Sequence, residues 1–112
     1  MTLVEVKNLF VSILPSATFH YQAWSKPNQY IVWAEDGQTD GLYADDKTQD
    51  QVIEGTIDLF TKTEYDPIAD TIQEIMNNAD MTWRLNSVQY EEDTKYIHHE
   101  WVFEIHNFIG GV

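Results

Sequence analysis

The 112-residue chain has no cysteine and only six basic residues, with five glycines and three prolines to interrupt helices and strands. Each shortage removes a class of function. Without cysteine there is no disulfide framework, thiolate nucleophile or thiolate metal site. That suits a reducing cytoplasm. Lys7, Lys26, Lys47, Lys62, Arg84 and Lys95 are scattered singly, so no basic patch exists to hold a phosphate backbone. Specific nucleic-acid binding is therefore not expected. No apolar run approaches the ~20 residues needed to span a bilayer. The N-terminus has no basic segment leading into an apolar one, so neither a membrane span nor a signal peptide is expected. Patterns of the G-x-S-x-G, phosphate-loop and G-x-G-x-x-G kinds are missing as well.

What is plentiful is acid and aromatic ring. Nineteen acids against six bases leave a net charge of -13. So large a charge keeps copies apart unless specific contacts or counterions bring them together. Apolar residues make up 43% and aromatics 13%, enough for one packed core, and the length suits a single domain over residues 1–112. Four tryptophans and six tyrosines exceed what one small core easily hides. Trp24, Trp33, Tyr43, Tyr65 and Tyr90 are accordingly candidates for contact surfaces, where Trp and Tyr are favoured.

Periodicity orders the chain. Thr2-Leu-Val-Glu5 is a capping box, and Leu3, Val6, Phe10, Ile13 and Leu14 share one helical face before Pro15, predicting a helix over about 3–14. Phe19, Tyr21 and Ala23 alternate with polar residues, predicting a strand over about 17–24; a second strand covers about 29–35. An acidic loop follows over about 35–50, with a short strand near Leu42–Ala44. A third strand occupies about 51–62, with Ile53, Gly55, Ile57 and Leu59 facing one way and Glu54, Thr56 and Asp58 the other. Asp66-Pro67 opens a second helix over about 67–78, capped at Asn77-Asn78. Strands over about 82–90 and 96–107 are joined through Glu91–Lys95, and residues 108–112 form a frayed tail. The expected architecture is α+β: an antiparallel sheet of about four to six strands with two helices on one face.

Two groups of residues invite a chemical reading. In "YEEDTKYIHHEWVFEI" the alternation of a strand puts His98, Glu100, Val102, Glu104 and His106 on one face and Ile97, His99, Trp101, Phe103 and Ile105 on the other. His98, Glu100 and Glu104 are weak metal candidates, because a zinc site needs three or four converging ligands and nothing else in the chain supplies them. The expectation is a solvated strand face. The acidic loop resembles an EF-hand at its first, fifth and glycine positions, but Lys47 stands where a bidentate Glu must sit and a strand precedes it. Asp36, Asp40 and Asp45, with Asp46 and Asp50, form at most a loose cation loop. His20 is expected to be exposed on the first strand. No catalytic residue and no cofactor is expected.

The succession "YIVWAEDGQTDGLYADDK", "QVIEGTIDLFTKTEYDPIADTIQEIM" and "YEEDTKYIHHEWVFEI", after an N-terminal helix, resembles the small tail-terminator, tail-completion and head–tail joining proteins of long-tailed bacteriophages and prophages. The resemblance covers nearly all of the chain as a pattern of elements and carries no catalytic motif. It implies a non-enzymatic ring, typically a hexamer, that joins the tail tube to the head connector around a DNA channel. Assembly would occur in the bacterial host cytoplasm and the product would reside in the virion. Carboxylates lining such a channel would let DNA slide without sticking, with the Glu35–Asp50 loop facing the channel or a partner ring. From another class come a small acidic cation-binding protein or enzyme using the His/Glu face of the last strand, and an acidic adaptor that mimics DNA charge.

Overall fold

The computed structural model describes residues 1–38 and 50–108. Helix α1 spans Leu3–Val11 and α2 spans Pro67–Asn77. The strands are β1 (Thr18–His20), β2 (Gln29–Gln38), β3 (Asp50–Thr61), β4 (Thr82–Tyr90) and β5 (Ile97–Phe108). They form one mixed sheet in the order β1-β2-β3-β5-β4, with both helices on one face. The short strand expected near Leu42–Ala44 and the tail beyond Phe108 lie outside the described residues.

Both helices start where local chemistry says they should. Thr2 and Glu5 form the reciprocal capping box: the Glu5 N–H donates to Thr2 Oγ1 at 3.1 Å and the Thr2 N–H to Glu5 Oε1 at 2.8 Å. Helix α1 stops at Val11, short of the expected Leu14: the Ser12 hydroxyl donates to the Leu9 carbonyl at 2.6 Å, and the Ile13 N–H donates to the Phe10 carbonyl in a tighter turn. Asp66 caps α2 by accepting from the Ile68 N–H at 2.9 Å. Its other oxygen accepts from Thr61 Oγ1 at 2.6 Å and from Gln29 Nε2, tying the helix start to β3 and β2. Burial alone would raise this carboxyl, but the three hydrogen bonds outweigh it and hold it below the usual carboxylate range.

The first strand departs from expectation. β1 is three residues long and runs parallel to β2, where hairpin-length spacing had suggested antiparallel pairing. Tyr21 ends it by entering the left-handed region at φ 72°. The segment that follows then loops back over the sheet end, where Tyr96 Oη donates to the carbonyls of Lys26 and Pro27.

The centre of the sheet is the pairing of β3 with β5, in register from Asp50↔Phe108 to Thr61↔Ile97. It puts Ile57 against Trp101 and Gly55 against Phe103 on the helix side. There Val6 and Phe10 of α1, and Ile72 and Met76 of α2, close a core with Ile31, Trp33, Leu59 and Ile105. Phe10 meets Trp33 and Phe103 edge-on, at 5.8 and 5.6 Å between centroids. Each fully buried side chain of this size contributes about 1.5–3 kcal/mol. Helix α2 is further fixed by Trp101 Nε1 donating to Gln73 and Trp83 Nε1 donating to Asn77. A smaller cluster of Tyr30, Tyr96 and Ala17 seals the opposite face at one end, with Phe60, Phe19 and Val32 packed against it.

Gly55 makes this core possible. A Cβ there would lie 2.4 Å from the Ala34 carbonyl oxygen and 2.7 Å from Phe103 Cζ. Gly55→Ala is expected to destabilise the fold by about 1–3 kcal/mol, since backbone and a packed ring must both shift. At Gly37, where a Cβ meets nothing within 4 Å, the same change is expected to cost about 0.5 kcal/mol or less. Urea unfolding of the two variants checks the contrast.

Candidate functional site

The face of the sheet away from the helices is where the chain's charge collects. Alternation along β3 presents Glu54, Thr56, Asp58 and Phe60 there, and alternation along β5 presents His98, Glu100, Val102 and Glu104. The register sets Glu54 directly opposite Glu104 and Asp58 directly opposite Glu100. Like charges facing across a strand pair repel. All four side chains are half-buried. Asp36, at a bulge between Glu35 and Gly37, joins them. Burial first, then the charges of Glu54, Asp58 and Glu100, push its carboxyl above the usual range.

The face relieves part of this repulsion with polar neighbours. His98 Nε2 lies 2.7 Å from Asp58 Oδ1, and its Nδ1 lies 3.9 Å from Glu91 Oε2. The ring stacks on Phe60 at 4.2 Å. A second bulge, between Leu85 and Ser87 of β4, aims Asn86 onto the face. Asn86 Nδ2 donates to Glu100 Oε1 and its Oδ1 accepts from Arg84, both at 2.9 Å. The hydrogen bond to Asp58 leads the causes that raise the His98 pKa, against burial. Its neighbour His99 points into the helix side, where burial lowers its pKa and its Nδ1 has no hydrogen-bond partner.

The metal candidates His98, Glu100 and Glu104 share a face, but the structure does not bring them to a point. His98 is held by Asp58 and Glu100 by Asn86. Among the described residues no group of three or more His, Asp or Glu could hold a metal ion. Of the loose cation loop, Asp36 lies in β2 and Asp50 opens β3; Asp40, Asp45 and Asp46 lie outside the described residues, as does Tyr43. Trp33 must be corrected. It is 2% exposed, at the centre of the core, because its β2 position faces the helices, and so it offers no contact surface. Trp24, Tyr65 and Tyr90 are exposed, at 84%, 93% and 58%.

One cluster escaped the sequence reading. On the helix side, His20 Nε2 lies 2.7 Å from Glu35 Oε1, and Tyr21 Oη donates to Glu35 Oε2 at 2.6 Å. His20 is stacked between Tyr21 and Trp33, at 4.0 and 4.1 Å. Burial would raise the Glu35 carboxyl, but the bonds from Tyr21 and His20 hold it below its ordinary value. The signal was the presence of His20 and Glu35 on adjacent predicted strands. Their meeting depended on the parallel register, which spacing does not reveal. This cluster fastens the short β1 to β2.

The chemistry open to the carboxylate face is electrostatic: it repels phosphates and attracts cations. Its histidine also gives a pH signature. A histidine whose folded pKa is raised contributes stability that is complete below the unfolded value of 6.5 and fades as pH rises through the folded value. His99, with its pKa lowered, acts oppositely and weakens the fold as pH falls from 6.5. Stability is therefore expected to decline on the alkaline side of pH 6.5, and His98→Gln to flatten that decline while leaving the acid limb intact. Thermal melts at a series of pH values measure both limbs.

Compared with models of known protein families and with curated proteins, the chain matches none.

Proposed function

We propose that this chain is a non-enzymatic structural subunit of a long-tailed bacteriophage or prophage. In this reading it is a ring-forming tail-terminator or head–tail joining component that links the tail tube to the head connector around a DNA channel. The observation that carries the reading is the way the segments of the resemblance fit into a single sheet. "YIVWAEDG" lies in β2, "QVIEGTIDLFT" in β3, "PIADTIQEIM" in α2 and "HHEWVFEI" in β5. The helices cover one face of that sheet and leave half-buried carboxylates on the other.

A wall of Glu54, Asp58, Glu100 and Glu104 suits a surface past which DNA must move. Carboxylates repel phosphates at close range. The expected partners are further copies of the chain in a ring, probed first as a hexamer, with the tail-tube and head-connector proteins above and below. Assembly in the host cytoplasm and residence in the virion follow from that role. The geometry favours this over a cation-binding or enzymatic use of His98, Glu100 and Glu104, because His98 is engaged with Asp58 and Glu100 with Asn86.

Electron microscopy and light scattering of the purified protein, alone and mixed with a tail-tube protein from the same genome, test the proposal. Rings, or a stoichiometric complex capping tube ends, are the expected result. A monomer that ignores the tube protein at every concentration and salt overturns it.

A further inference from the structure

The acids are distributed unevenly, and the fold turns that into geometry. No Asp or Glu occurs from Val6 to Ala34, nor from Met81 to Tyr90, where the chain's one arginine sits. The strand order sends these two stretches to opposite sides of the sheet, β1 with β2 at one and β4 at the other. The acid-bearing β3 and β5 lie between them. A molecule of net charge -13 is thus free of acid along each of its two edge strands.

Each edge also exposes what an interface uses. β4 is nine residues long and has no strand on its outer side among the described residues, with Leu85, Val88 and Tyr90 exposed at 46%, 51% and 58% on one face. Across the sheet, Trp24 is 84% and Tyr21 59% exposed beside β1, with the Trp24 ring resting on Phe19 at 6.5 Å. Large aromatics that solvent does not favour are the usual anchors of contacts between proteins.

Resting on the ring reading above, we propose that copies of this chain join head to tail. The β4 edge of one copy seats against the β1 side of the next, where Tyr21 and Trp24 stand. Pairing of β4 with β4 about a two-fold axis is disfavoured by its own flanks. Asp80 precedes the strand and Glu91-Glu92-Asp93 follow it. Antiparallel self-pairing over the whole strand would set those acids against each other at both ends. The bulge at Asn86 also interrupts the ladder that such pairing needs. The β1 side, whose nearest acid, Glu35, is already held by His20 and Tyr21, meets the same flanks with less repulsion. Two unlike surfaces on opposite edges give a heterologous contact, and a heterologous contact that closes gives a ring.

Val88→Glu spoils one edge and Trp24→Glu the other, both at exposed positions; Arg84→Glu is a second β4-edge variant should the first fail to fold. Circular dichroism melts confirm folding. Sedimentation in high salt, which screens the repulsion between copies, reads association. Each variant alone is expected to associate at least about tenfold more weakly than wild type. An equal mixture of Val88→Glu and Trp24→Glu is expected to form a discrete heterodimer, because one junction between them remains intact. Either variant assembling like wild type, or a mixture without heterodimer, overturns the edge assignment and leaves the ring standing. A wild-type protein that stays monomeric, alone and with the tail-tube protein, removes the ring reading itself.

Discussion

The pairing of β3 with β5 governs almost everything else in this molecule. Because side chains alternate across a sheet, one register decides both faces at once. Setting Ile57 against Trp101 on the helix side necessarily sets Asp58 against Glu100 on the other. The core therefore cannot form without bringing like charges together on the opposite face. A slip of one residue would relieve the carboxylates and empty the core, and burial of several large side chains at about 1.5–3 kcal/mol each outweighs repulsion between half-exposed acids.

That competition gives the acidic face its character. The half-buried carboxylates of β3 and β5 are held at fixed spacing by a rigid pair of strands, unlike acids on a solvated loop. His98 and Asn86 neutralise or bind two of them, and the rest of the repulsion persists. Under the proposed function, that persistent field is the useful property. A channel wall must not bind what passes along it, and rigidly held negative charge satisfies that better than a neutral surface. The same charge makes self-association difficult, which is why the acid-free edges matter. They are the places where two such molecules can approach.

Much of the fold was legible from residue order, and the failures are local. The capping box at Thr2–Glu5, the Asp66-Pro67 start and the alternation of β3 and β5 are short-range chemistry, and each element stands where that chemistry places it. The first strand was overextended and its direction misjudged, because Tyr21 adopts a left-handed backbone conformation that its residue type does not announce. Trp33 was assigned to the surface on aromatic abundance alone, when its place on the inward side of β2 made it core. The His20–Glu35–Tyr21 cluster was missed for the same reason that β1 was: it depends on a parallel register between two neighbouring strands.

By itself the sequence determined the kinds of element, their limits to within a few residues, the side of each strand that is apolar, and a net charge of -13. These depend on periods of two and of 3.6 residues and on groups within a few positions of one another. Only the tertiary structure decided which strands are neighbours, and hence that Glu54 faces Glu104, that His98 takes Asp58 as its partner, and that the two acid-free stretches end on opposite edges. Those facts arise from contacts between residues far apart in the chain, and no local periodicity carries a record of them.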